Sequence, residues 1–215
     1  MDTYVYEIHN NLYINLTNKC VNQCSFCVRK NQTYEGYNLW FEKEPAVNEI
    51  LALIKKPEKY VQIVFCGYGE PTMRFAELYK IGTELKGKDT DIRLDTNGLG
   101  NLINKKNICP QLAKAVDVVN ISLNASNKED YSKICKSQFG AKAFDEVLKF
   151  ALECKKNKIK TVFSVVDIIG QAEVEKCRKI AQSLNIELLV RSFIDNSDKK
   201  SDDIVLNAGS SKMNN

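Results

Sequence analysis

The sequence holds one histidine, His9, in 215 residues. Ser-His-Asp, Cys-His and histidine-ligated zinc chemistries therefore lack most of their usual parts. Apolar runs long enough to span a bilayer are also missing, so no membrane partner is expected. The first residues, Met-Asp-Thr-Tyr-Val-Tyr-Glu, carry neither a basic n-region nor an apolar h-region and do not read as a signal peptide. A cytoplasmic location is expected, and there cysteines serve as thiols or metal ligands rather than disulfides. The net charge of +4 is mild. It permits an anionic substrate, but no basic run with interleaved aromatics points to nucleic acid. An enzyme this poor in histidine draws its chemistry from a cofactor. His9 itself reads as a structural or surface residue.

What the sequence does hold is eight cysteines, three of them in Cys20-Val-Asn-Gln-Cys24-Ser-Phe-Cys27. The stretch follows Asn11-Leu-Tyr-Ile-Asn-Leu-Thr17, a β-leaning apolar segment, so the thiols sit in a loop after a first strand. A structural zinc ion would want a fourth ligand, and the loop offers none nearby. A cubic four-iron cluster would use three thiolates and keep one iron open. Buried or zinc-bound cysteines are the plainer alternative.

Strand-like and helix-like segments then alternate. Strands are predicted over residues 12–17, 61–66, 91–95, 116–122, 161–166 and 186–191. Helices are predicted over 45–54, 73–86, 110–115, 142–157 and 173–184. The 142–157 segment has Phe144, Val147, Leu148, Ala151 and Leu152 as its apolar stripe. Six βα units imply an α/β fold, a partial (βα)6 TIM-like barrel with a parallel sheet, open because a closed eight-unit barrel needs about 250 residues. Residues 1–195 read as one domain and 196–215 as a polar, disordered tail. Ligands of such sheets bind at the C-terminal ends of the strands.

The C-x3-C-x2-C loop, with aromatic Phe26 before its last cysteine, resembles the signature of the radical S-adenosylmethionine (radical SAM) superfamily. Further motifs follow the strands. Tyr68-Gly69-Glu70-Pro71 resembles that family's GGEP turn, which contacts the amino group of S-adenosylmethionine (AdoMet), with Tyr68 in place of the first glycine. Asp95-Thr-Asn97-Gly98 is similar to a segment of the small glycyl-radical-activating enzymes. There the Asp and Thr help hold a monovalent cation with an acid from the next strand, and this chain has Ser122 where that acid would align. Asp95 and Asn97 are therefore expected to act through direct hydrogen bonds. Ser122 and Asn124, placed on one face by alternation, can bond ribose hydroxyls or a carboxylate, or else cap a helix. Val166-Asp-Ile168-Ile-Gly170-Gln-Ala-Glu173 is similar to the adenine motif, with Ile168 on the ring and Glu173 starting a helix. Arg191 can pair with a carboxylate of AdoMet, of the substrate or of a nearby acid. Tyr34, Tyr37 and Trp40 form a candidate lid or a hydrophobic plug. Of the other cysteines, only Cys66 and Cys135 are expected near the cleft.

The resemblance runs from about Leu12 to Phe193 and is nearest to the small TatD-associated radical SAM proteins. It implies a [4Fe-4S] cluster on Cys20, Cys24 and Cys27, AdoMet, and a reductant of flavodoxin or ferredoxin type. It implies reductive cleavage of AdoMet to methionine and a 5′-deoxyadenosyl radical, which takes hydrogen from a substrate, small molecule or protein. Two alternatives stand beside it: an activator of a glycyl-radical partner, and a non-catalytic metal-binding or tRNA-interaction module.

Overall fold

The computed structural model describes residues 2–31 and 33–193. The tail expected at 196–215 lies outside the described residues. Seven strands form one sheet: β1 (Val5–Ile8), β2 (Asn11–Ile14), β3 (Gln62–Phe65), β4 (Asp91–Thr96), β5 (Val118–Ser122), β6 (Lys160–Val166) and β7 (Glu187–Arg191). Their order in the sheet is their order in the chain. The pairs from β2 to β7 are parallel, as expected for right-handed βα units.

The first strand departs from the sequence reading. β1 is an antiparallel edge strand, joined to β2 by a tight turn in which His9 takes φ 51°. Val5-Tyr6-Glu7-Ile8 alternates in burial, but the run is too short to stand out before its partner is known. His9 is exposed, in keeping with a surface role.

Helices cover the outer face: α1 (Val47–Leu53), α2 (Phe75–Leu85), α3 (Gly100–Ile103), α4 (Cys109–Leu112), α5 (Lys128–Cys135), α6 (Lys142–Lys156) and α7 (Gln171–Ser183). Alternation divides the sheet. Leu12, Ile14, Ile63, Phe65, Ile92, Leu94, Val119, Ile121, Phe163 and Val165 pack outward against the helices in one apolar core. The alternate residues face the barrel interior. The stripe of α6 is set one residue back from the predicted one, on Ala143, Phe144, Val147, Phe150, Ala151 and Cys154. Phe150 takes the inward place and leaves Leu152 44% exposed. Helix α5 was not predicted. Only Tyr131 and Cys135 are buried on it, too few to show a period, and Asn127 caps it by accepting from the Asp130 N–H at 2.9 Å. No described helix is long and apolar enough to cross a membrane.

The sheet curls. Three strand-to-strand steps separate β4 from β7, yet Arg191 Nη2 lies 3.6 Å from Asp95 Oδ2. That contact spans the interior of a partial barrel.

Candidate active site at the strand ends

The cysteine loop leaves β2 and is fixed from both sides. On one side Asn15 Nδ2 donates to the Leu39 carbonyl at 2.7 Å, and the Thr17 hydroxyl donates to Glu44 at 2.6 Å. On the other side the loop meets the C-terminus of α5. The Gln23 N–H donates to the Cys135 carbonyl at 3.0 Å, and the Ser25 N–H to the Ile134 carbonyl at 2.9 Å. A helix end leaves its last carbonyls without intrahelical donors, and this loop supplies two. Cys24 sits between those two donors. Cys27 precedes a 3-10 turn, Val28–Lys30, and Phe26 beside it is half-buried.

All three thiols are free and half-buried. Burial pushes Cys20 up to about 12 and raises Cys27. Cys24 is pushed well up, first by its hydrogen bond with Cys135 and then by burial. Thiols in such a setting give up their protons to a cation that takes their place. Among the described residues no three Cys, His, Asp or Glu side chains are grouped for a single metal ion. A multi-iron cluster takes one thiolate per iron, so the donor set fits such a cluster without that convergence.

The turn after β3 lies against this loop. A Cβ at Gly69 would stand 2.1 Å from the Thr17 carbonyl oxygen and 2.6 Å from that of Lys19, so only glycine fits. The Glu70 N–H donates to the Lys19 carbonyl at 2.8 Å. Position 68 has the opposite surroundings. The Tyr68 ring is buried, 5.3 Å from Trp40 and next to Tyr34, Tyr37 and Val28, and its hydroxyl donates to the Asn31 carbonyl at 3.4 Å. A tyrosine can stand in that place because its side chain fills the barrel wall.

Glu70 ties this turn to the end of β4. Its carboxylate accepts from the Thr72 N–H at 3.1 Å, the hydroxyls of Thr72 and Thr96 at 2.7 Å each, and the Asn97 N–H at 2.7 Å. Burial raises Glu70 above the usual glutamate range, against the pull of these donors. Pro71 opens a 3-10 turn, Pro71–Arg74. Asn97 in turn reaches the cysteine loop, its Nδ2 lying 3.9 Å from Cys20 Sγ.

Asp95 faces inward among cations. Arg93 Nε is 3.1 Å away, Arg191 Nη2 is 3.6 Å away, and Asn120 Nδ2 donates to it at 3.2 Å. Arg191 thus pairs with an acid inside the barrel, and Asp95 has two guanidiniums as partners. Arg93 is missing from the sequence reading, although Asp91, Arg93 and Asp95 carry charge at alternate positions of one strand. That pattern marks a polar inner face.

Ser122 ends β5 half-buried beside Ser164 in register. Alternation does not extend from it to Asn124. Asn124 takes φ 60°, and its Nδ2 points to Cys135 Sγ at 3.7 Å. After β6, Ile168 lies in a 3-10 turn and is 52% exposed. Glu173 begins α7 and accepts from the Ser126 N–H at 2.7 Å, fastening the β5 and β6 loops together. Tyr37 packs on Tyr6 at 5.4 Å as a plug, while Trp40 at the rim is 42% exposed. Of the remaining cysteines, Cys135 adjoins the loop and Cys66 the aromatic wall.

Comparison with known proteins agrees with this geometry. A probable GTP 3′,8-cyclase of Methanococcus maripaludis is 30% identical over 191 residues, covering 86% of this chain and 60% of that protein. The protein of the same description from Methanocaldococcus jannaschii is 33% identical over 138 residues, covering 63% of this chain and 43% of its own. The chain therefore spans about half the length of these curated relatives. Native anSMEcpe with bound AdoMet superposes with a TM-score of 0.63 at 20% identity, over 88% of this chain and 54% of that one. Streptococcus suis SuiB bound to precursor peptide SuiA gives 0.65 at 15% identity, over 88% and 40%. These two show a shared fold. The radical SAM superfamily model matches residues 14–181, most of the barrel and all three loop cysteines, and the chain belongs to that superfamily.

Proposed function

We propose that this chain is a radical SAM enzyme in which Cys20, Cys24 and Cys27 hold a [4Fe-4S] cluster. AdoMet would lie among Phe26, Tyr68, Gly69, Glu70, Pro71, Asp95, Asn97, Ser122, Asn124, Ile168 and Arg191. The observation that carries the reading is the direct fastening of two strand-end motifs to the thiol loop. Glu70 bonds the Lys19 carbonyl, and Asn97 reaches Cys20. The bound cluster and AdoMet would supply an electron, reductive cleavage of the sulfonium, and a 5′-deoxyadenosyl radical that abstracts hydrogen from a substrate.

The chain's own residues prepare that chemistry. Gly69 lets the turn backbone lie against Thr17 and Lys19, which brings its N–H and C=O groups beside the thiols. Asn97 places its side-chain N–H groups 3.9 Å from Cys20, and the Asn22 N–H donates to the same sulfur at 3.4 Å, which favours the thiolate over the thiol. Glu70 fixes the position of Asn97 through its backbone N–H. Arg191, half-exposed at the mouth, has the planar fork that binds carboxylates. The aromatic wall of Tyr6, Tyr13, Tyr37 and Tyr68 keeps water from one side of the cavity. Because the thiols hold their protons tightly, cluster assembly releases protons and is favoured by rising pH. Reduced thiols of this kind suit a cytoplasmic location.

Anaerobic reconstitution with iron and sulfide, reduction with dithionite and assay for 5′-deoxyadenosine test the proposal. Cluster absorbance with product formation is expected, and both are lost in Cys24→Ala. Retention of zinc in place of a cluster would overturn it. A bound cluster with no AdoMet cleavage, restored by a co-purifying glycyl-radical partner, would instead identify an activating enzyme. The two cyclase relatives make GTP the first substrate to try, and a flavodoxin or ferredoxin the first reductant.

A further inference from the structure

We propose that the surface cleft of Arg29, Lys30, Asn38 and Trp40 is the docking face of an acidic one-electron carrier protein that reduces the cluster. The inference rests on the cluster reading above and names the place where its reductant binds.

The cleft begins where the cysteine loop ends. Arg29 and Lys30 follow Cys27 in the 3-10 turn Val28–Lys30. Lys30 Nζ donates to the Ser25 carbonyl at 2.6 Å, which ties the turn to the segment between Cys24 and Cys27. The opposite wall is Trp40, the one tryptophan of the chain. Its ring leans edge-on against Tyr68 at 5.3 Å, and its backbone N–H donates to Asn38 Oδ1 at 3.1 Å. The Tyr68 hydroxyl donates to the Asn31 carbonyl at 3.4 Å, so one buried ring braces both the turn and the tryptophan.

Charge decides the partner. The cleft has a volume of about 550 Å³, and among the described residues Arg29 and Lys30 are its only charged lining. A second cleft, of about 490 Å³ beside the ends of α1 and α2, sets Lys55 and Lys88 against Glu58, Glu84 and Asp89. Those charges nearly cancel, whereas two unopposed cations attract an anion. Lys30, Thr33, Asn38 and Trp40 are all exposed, so the cleft does not enclose a ligand as a metabolite site does. It suits the surface of an acidic protein. Tryptophan and arginine are the residues that most often dominate a protein interface. Electron-transfer encounters belong to the small, weakly bound class of interfaces and are steered by charge. A carrier seated here lies against the thiol loop. The step moves one electron: the carrier is oxidised, the cluster is reduced, and no proton or group is transferred.

A flavodoxin of net negative charge is the probe. Wild type, the Arg29→Glu/Lys30→Glu pair, Trp40→Ala and a Lys55→Glu/Lys88→Glu control at the second cleft would be reconstituted anaerobically. Flavodoxin binding would be measured by calorimetry at low and high ionic strength. Cluster reduction by flavodoxin hydroquinone would be followed by stopped flow and divided by the rate with dithionite, which needs no docking face. Wild-type binding is expected to weaken as salt rises. The Arg29→Glu/Lys30→Glu pair is expected to raise Kd about tenfold at low salt, flatten the salt dependence and lower the rate ratio. Trp40→Ala is expected to raise Kd by about tenfold and keep the wild-type salt dependence. The control pair is expected to match wild type. The docking face is overturned if Arg29→Glu/Lys30→Glu binds as wild type does, if the control pair weakens binding as much, or if tRNA binds this cleft more tightly than flavodoxin. Iron and sulfide content separates the two readings. A chain without a cluster ends the reading on which the inference rests. A full cluster that dithionite reduces, in a wild type that binds no flavodoxin, overturns the docking face alone.

Discussion

On the β1–β3 side the inner face of the barrel is aromatic; on the β4–β7 side it is charged. The aromatic half stacks Tyr6 on Tyr13 at 5.1 Å and adds Ile8, Leu39, Val64 and Tyr68. It is filled from within the chain by the arm that carries Tyr34 to Leu39. The charged half holds Arg93, 1% exposed, between Gln62 Oε1 at 2.9 Å and Asp95 at 3.1 Å, with Asn120 and Arg191 beside them. Packed aromatics stabilise by burial and by ring–ring contact. A buried guanidinium carries a desolvation cost that its partners only offset. The first half is thus a plug, and the second is a polar surface with Ser122 and Arg191 still half-exposed. A polar ligand in this barrel has the second half to bind.

Arg93→Met should expose this difference most strongly. It leaves half-buried Asp95 with the longer Arg191 contact and the Asn120 amide alone, at a cost of about 3 kcal/mol, or a fall in Tm of roughly 6–12 °C at this chain length. An unchanged Tm would show that the charged half does not hold itself together through Arg93.

The seam between the halves is Glu70. Glu70→Gln removes a carboxylate that accepts four hydrogen bonds, at a cost of about 2 kcal/mol. The folded-state value of Glu70 is raised, so the native state holds its proton to higher pH than the unfolded state does. Stability from this group is therefore full below the ordinary glutamate range and declines as pH rises through the raised value. Urea midpoints over that range should show the wild-type advantage over Glu70→Gln shrinking as pH rises. A constant gap would place the burial penalty elsewhere.

The smallest change belongs to the aromatic half. Tyr6→Phe loses one hydrogen bond, from its hydroxyl to the Cys66 carbonyl at 3.2 Å, and keeps the stacked ring. About 1 kcal/mol is expected from chemical denaturation. A loss as large as that of Arg93→Met would mean that the hydroxyl, and not the ring, secures this wall.

The parallel strands were legible because each is a short apolar or alternating segment followed by a turn, and the motifs were legible because each turn falls at a strand end. What could not be read depended on partners distant in sequence. β1 is recognisable only against β2, and α5 buries too few residues to show a period. The role of Arg191 stayed open because its acid, Asp95, lies 96 positions away in the chain and across the barrel. Tyr68 departs from a glycine pattern for a reason visible only in three dimensions: its neighbour Gly69 backs onto carbonyls, while position 68 looks into an aromatic pocket.

Sheet order equal to chain order also has a kinetic meaning. No strand has to insert between two strands already paired, so the sheet can grow by adding one neighbour at a time. Each addition closes a loop of moderate length and carries a modest entropic barrier. The Asp95–Arg191 contact is the exception. It joins the third parallel strand to the last and can form only when β7 has docked, which makes it a late event in folding. A substitution at Arg191 should therefore speed unfolding while leaving the folding rate nearly as it was.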